Sequence, residues 1–187
     1  VIAASAGNHA QGIAYHAKLL GIPTTVVMPV FAALIKVTNC RQFGANVVLH
    51  GADLTQARAH AGEIAARDGL TFIHPFDDHD FIAGHATMAL EILEDAPDVA
   101  VVVASIGGGG LITALGSAFR ALKPEVRIFG AEPETAAPMA LSLAKGSPQA
   151  VEGWTPSFVD GAGGRSVFPR MWERMRPVVD GCIVLSL

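Results

Sequence analysis

Short β-branched runs alternate with longer helix-patterned segments from one end of the chain to the other, and this alternation leaves few folds open. Strand candidates are Val1–Ala4, Thr24–Met28, Asn46–Leu49, Thr71–Ile73, Val99–Ala104, Val126–Ala131 and Cys182–Leu185. Helix candidates are His9–Leu20, Ala33–Phe43, Leu54–Arg67, Phe81–Leu93, Leu111–Leu122, Ala136–Ala144 and Pro169–Met175. Pro23, Gly51 and Gly69 punctuate the boundaries. Strict alternation of this kind predicts an α/β fold of parallel, doubly wound sheets with helices on both faces. The run Val99–Val103 is apolar throughout, as a strand buried on both faces requires. With 51% hydrophobic residues among 187, the chain has material for a proper core.

Charge narrows the function classes. The formal net charge is −4 and the basic residues are scattered, so neither a nucleic-acid footprint nor a polybasic membrane patch is present. No apolar run reaches membrane-spanning length. The two cysteines, Cys40 and Cys182, make no disulfide framework and no zinc pattern, which fits a reducing, cytoplasmic compartment. The chain opens inside the apolar run Val1–Ala4 and closes on Ile183–Leu187; both ends read as cuts through a longer protein.

Two motifs stand at strand-to-helix junctions. Ser5-Ala6-Gly7-Asn8-His9-Ala10-Gln11-Gly12 follows the first strand and opens a helix. Such a junction offers unpaired N–H groups at the positive end of the helix dipole, which suits a small anion such as a carboxylate. Ser5 and Asn8 can add side-chain donors. A plain capped helix entry, with Asn8 as N-cap, reads the same residues equally well. Gly107-Gly108-Gly109-Gly110-Leu111 lies between a buried strand and an amphipathic helix, where linkers do not occur. Its spacing is neither a dinucleotide fingerprint nor a Walker loop, and its consecutive glycines form a nest of amides suited to a phosphate. A third segment, His74-Pro75-Phe76-Asp77-Asp78-His79-Asp80, groups carboxylates with histidines. It reads as a solvated crossover with an Asp near the next helix start, in preference to a metal site.

A carboxylate grip and a phosphate nest together suit an amino acid joined to pyridoxal 5'-phosphate (PLP). The order of Ser5–Gly12, Leu34-Ile35-Lys36-Val37, Gly44-Ala45, His74–Asp78, Ile82-Ala83-Gly84 and Gly107–Leu111 resembles the threonine/serine dehydratase–serine racemase family of fold-type II PLP enzymes. The resemblance implies the tryptophan-synthase-β-like fold, incomplete at both ends. It implies a small mobile domain over 1–76 and part of the large PLP-binding domain over 77–187. Ser5, Asn8 and His9 would bind the substrate carboxylate, and Asn8 would also reach the cofactor. Gly107, Gly108, Gly109, Gly110 and Leu111 would hold its phosphate, with Gly161, in Val159-Asp160-Gly161, near its ring. The implied activity is an L-threonine/L-serine ammonia-lyase, with serine racemase, another β-hydroxy amino acid dehydratase or a non-catalytic remnant as alternatives. The whole protein would be a homo-oligomer acting on a small amino acid.

The departures from the family pattern are specific. Its Schiff-base lysine lies upstream of the Ser5 motif, and Lys18, Lys36, Lys123 and Lys145 carry no motif for that role, so no catalytic residue is assigned in this chain. Ala6 stands where racemases of the family have a serine acid/base, which favours elimination over racemisation. In Glu132-Pro133-Glu134-Thr135-Ala136-Ala137-Pro138, which resembles a cation loop, Pro138 fills the second carboxylate position. Glu132 is left as a lone charged ligand, too few for a functional hard-cation site.

Overall fold

The computed structural model describes every residue except Pro156 and Asp160. The chain divides into two compact units, Val1–Pro75 and Phe76–Leu187.

In the first unit, β1 (Ile2–Ala4), β2 (Thr25–Met28) and β3 (Asn46–Leu49) form a parallel sheet in the order β1-β2-β3. Helices α1 (Asn8–Leu20) and α2 (Leu34–Gln42) provide the crossovers, and α3 (Leu54–Asp68) follows β3. Side chains alternate along each strand, so neighbouring residues enter different cores. Val26 and Met28 pack with Ala10, Ala14, Val37 and Cys40 of α1 and α2. Ile2, Ala4 and Val27 pack with Ala57, Ala61 and Ile64 of α3 on the opposite face. Alanines at helical spacing bring α1 and α3 close to the sheet. Helix α3 starts where Asp53 accepts the Gln56 amide at 2.8 Å, and α1 stops at Gly21, whose φ of 66° favours glycine.

The expected strand Thr71–Ile73 is reduced to one parallel bridge, Ile2 to Phe72. Two hydrogen bonds hold it to the outer edge of β1: Ile2 N–H to Thr71 O and Ile73 N–H to Ile2 O, both 2.9 Å. The segment turns away before a ladder can extend.

In the second unit, α4 (His79–Asp95) precedes β4 (Val101–Ser105), α5 (Gly110–Leu122), β5 (Arg127–Pro133), α6 (Pro138–Lys145), α7 (Pro169–Met175) and β6 (Gly181–Leu185). This sheet is also parallel, in the order β4-β5-β6. Ile112, Leu115 and Phe119 of α5 meet Ile128, Met171 and Met175 in the main core. Truncating the fully buried Phe119 to Ala would cost about 3–5 kcal/mol. Burial of this sheet is one-sided: Val101 and Val103 are 49% and 52% exposed, although the sequence run suggested cover on both faces.

Asp180 ties the start of β6 to its neighbours. Its Oδ2 accepts from Arg120 Nη2 at 2.7 Å and from the Ile128 amide at 2.6 Å. Partial burial pushes this carboxyl upward, but the Ile128 amide and Arg120 outweigh it and hold it below its ordinary range. In the crossover, Asp78 caps α4 by accepting the Phe81 amide at 2.8 Å. Asp77 meets Arg174 and Arg170 at 3.4 and 3.5 Å. Among the described residues no group of three His, Cys, Asp or Glu side chains is placed to hold a metal ion, and no helix is long and apolar enough to cross a membrane.

Candidate functional site

Both singled-out motifs lie at the carboxyl ends of the first strands of their sheets, where open parallel sheets present ligand-binding turns. Their construction differs.

In the first unit the chain leaves β1 at Ser5, and α1 begins at Asn8 with Gly7 as its N-cap residue. The capped entry with Asn8 as N-cap is therefore corrected: Asn8 is the first helical residue, and no side chain caps the helix. The Ser5 hydroxyl, buried to 7% exposure, accepts the Gly7 amide at 3.1 Å, which leaves its own proton available to another acceptor. Asn8 is exposed at the mouth of the turn. His9 Nε2 lies 3.2 Å from Ile73 O; since a carbonyl only accepts, this nitrogen carries the proton. The His9 ring thereby anchors the turn to the 71–73 segment. A Cβ built on Gly7 would meet nothing within 4 Å.

In the second unit each glycine of the run is pressed by a neighbour. A Cβ on Gly107 would lie 2.9 Å from Gly161 O, and one on Gly108 would enter the Phe76 ring. One on Gly109, at φ 91°, would sit 2.5 Å from Met175 Sδ, and one on Gly110 would lie 2.9 Å from Phe76 Cα. Side chains are excluded throughout, while the amides of Gly107 through Leu111 make no hydrogen bond among the described residues. These amides sit at the N-terminus of α5, where the helix dipole adds positive potential. Such a cradle fits a phosphate. Leu111 is half-buried against the main core, and the Gly161 carbonyl abuts Gly107. Asp160, its neighbour in the sequence motif, lies outside the described residues.

Glu132 is a different case. It is 1% exposed, and its two carboxylate oxygens accept the Met139 amide at 3.0 Å and the Ala140 amide at 2.9 Å. Cys182 Sγ lies 3.3 Å from Oε2. Burial pushes the Glu132 carboxyl above its ordinary range despite these donors. The carboxylate thus caps α6, whose first residue is Pro138. The donor set here does not suit a hard cation. Sequence reasoning assigned Glu132 to a loop and missed its helix-capping role; Pro138, suited to a first helical turn, was the available signal.

A family model described as pyridoxal-phosphate dependent enzyme matches residues 1–187. The L-threonine ammonia-lyase of Thermotoga maritima is 42% identical over 186 residues, covering 100% of this chain and 46% of the relative. The chain therefore spans about half the length of the curated relatives it matches. Among solved structures, the processed form of threonine deaminase isoform 2 from Solanum lycopersicum superposes with a TM-score of 0.89 at 36% identity, covering 100% of this chain and 51% of that one. Maize serine racemase gives a TM-score of 0.92 at 33% identity, covering 100% and 56%.

Proposed function

This chain belongs to the pyridoxal-phosphate-dependent enzyme family, and from that premise we propose that the whole protein is an L-threonine/L-serine ammonia-lyase giving a 2-keto acid and ammonia. The reading is supported by likeness to L-threonine ammonia-lyases along the entire chain. The observation that selects lyase over racemase is Ala6, in a turn otherwise suited to a carboxylate.

The residues take the following roles in this proposal. The amides of Gly107, Gly108, Gly109, Gly110 and Leu111 hold the cofactor phosphate, and Gly161 borders the same cradle. Ser5 and Asn8 donate to the substrate carboxylate, together with the backbone at the start of α1. His9 supports them by tethering the turn. Asn8 would also reach the cofactor. Bound PLP supplies an electron sink for the charge left at Cα when its proton is removed. None of Lys18, Lys36, Lys123 or Lys145 is assigned to remove that proton. Lys18 and Lys123 donate to the backbone carbonyls of Gln42 and Pro97. Orientation by the carboxylate aligns the β-hydroxyl for departure, and this is the chain's own contribution to rate.

Serine racemase is the second reading, favoured by the maize structure. It requires a proton donor opposite the lysine, and the Ala6 methyl cannot supply one. Chiral chromatography of full-length protein incubated with L-serine, alongside a keto-acid assay, separates the two. Keto acid with almost no D-serine is expected; abundant D-serine overturns the lyase reading. The parent is further proposed to be a cytoplasmic homo-oligomer: two free cysteines suit a reducing compartment, and size-exclusion chromatography with light scattering tests the assembly. The unit Val1–Pro75 is proposed to act as the mobile domain and the unit Phe76–Leu187 as the cofactor-holding one.

A further inference from the structure

The chain has two tryptophans, and they occupy different settings. Trp172 is part of the main core. Trp154 is only half-buried, outside that core, in a loop whose ends are joined by Val151 N–H to Arg165 O at 2.9 Å and Val167 N–H to Gln149 O at 3.0 Å. Its indole Nε1 donates to Gly163 O at 3.2 Å, and the Arg165 guanidinium lies over its ring at 4.6 Å.

Gly163 is where the loop meets the cradle. Its amide donates to Ile106 O at 2.9 Å, and Ile106 is the residue immediately before the glycine run. Gly163 has a φ of 74°, and a Cβ on it would lie 2.8 Å from Ala136 Cβ and 2.9 Å from Pro133 Cγ. Its N–H, carbonyl and α-carbon are therefore each engaged, the carbonyl by Trp154. Two residues earlier, the Gly161 carbonyl presses against Gly107.

We infer that Trp154 is a positioning residue for the cofactor phosphate: by holding Gly163 through its indole N–H, it keeps Gly161 and Ile106 in place and so aims the first amides of the glycine run. The inference rests on the phosphate reading of that run. Indole is needed because the contact requires a flat ring under Arg165 and a donor at its edge.

Trp154→Phe in the full-length protein removes the donor and keeps a ring for Arg165. Losing one hydrogen bond should weaken PLP binding about three- to tenfold in an absorbance titration. Competition by inorganic phosphate should weaken in parallel. The melting midpoint of the PLP-free protein should stay within about 2 °C of the parent, and kcat at saturating PLP within about twofold. Arg165→Gln, which frees the other face of the ring, should shift PLP affinity in the same direction by a smaller factor. Unchanged PLP affinity in Trp154→Phe overturns the inference whatever happens to the melting point. A Trp154→Phe protein that loses stability and PLP affinity together, while Arg165→Gln leaves affinity intact, also overturns it, by marking Trp154 as structural. If the unmutated protein binds neither PLP nor phosphate, the phosphate reading itself fails, a result distinct from the others.

Discussion

The turn after β1 and the turn after β4 answer the same need, backbone amides at the mouth of a parallel sheet, with opposite construction. The Ser5–Asn8 turn is loosely enclosed: Gly7 has open space where a side chain would be, and one serine hydroxyl and one histidine ring anchor the turn. The Gly107–Gly110 turn is packed, wherever a side chain would project, by Phe76, Gly161 and Met175. The packed turn holds its donors in place before a ligand arrives, so little ordering entropy is lost on binding. The open turn restrains its donors less. A tightly held cofactor suits the packed arrangement, and a substrate that enters and leaves at each turnover suits the open one.

The largest effect should come from the packed turn. Gly108→Ala drives a methyl into the Phe76 ring, and PLP affinity of the full-length protein should fall by about a hundredfold or more, the consequence of overpacking beside a binding turn. Adding Phe76→Ala restores space. Partial recovery of affinity in the double variant, measured by the same titration, would show that packing aims the amides. No recovery breaks the comparison as drawn.

Behind that turn, Asp180 fastens β6 to β5 and α5. Asp180→Asn should destabilise the protein by about 1–2 kcal/mol near neutral pH, discounted for partial exposure. The sign with pH is definite. A carboxyl held below its unfolded value contributes fully above that unfolded value, and the contribution is lost as pH falls through the folded one. Acid unfolding monitored by circular dichroism should therefore show a gap between parent and Asp180→Asn that closes toward low pH; a gap that widens contradicts the assignment.

Glu132 extends the packed side of the comparison, because its carboxylate serves a helix terminus. Chelation of divalent cations should change the melting midpoint of the full-length protein by about 1 °C or less, below the effect of a lost helix cap. A large loss restored by magnesium or calcium would show that a cation competes with α6 for Glu132. The smallest effect belongs to the open turn. Gly7→Ala should alter stability by less than about 0.5 kcal/mol, as expected for a site with room and a negative φ of −122°. A loss of several kcal/mol would mean that the first turn is as constrained as the second.

What the sequence made legible follows from range. Parallel strands and crossover helices were readable because β-branched runs, helical spacing and terminal glycines such as Gly21 and Gly69 are local signals. Both strand-to-helix turns, after β1 and after β4, were readable for the same reason. The 71–73 segment was misjudged because its pairing depends on Ile2, far away in the chain. The cap of α1 shifted from Asn8 to Gly7 because the Ser5 hydroxyl takes the Gly7 amide, a choice that residue types alone do not decide. Trp154 gave no sign of a role, since its partner Gly163 looks like any loop glycine until its neighbours are known.

The contact between Cys182 and Glu132 also bears on how this protein withstands oxidants. Thiolates, not thiols, react with peroxide and alkylating reagents. Burial and the adjacent carboxylate push the Cys182 thiol up to about 12, and burial raises Cys40 as well. Both of the chain's cysteines are thus kept protonated at physiological pH. Peroxide should leave them as thiols, and maleimide reagents should label them slowly until the protein unfolds.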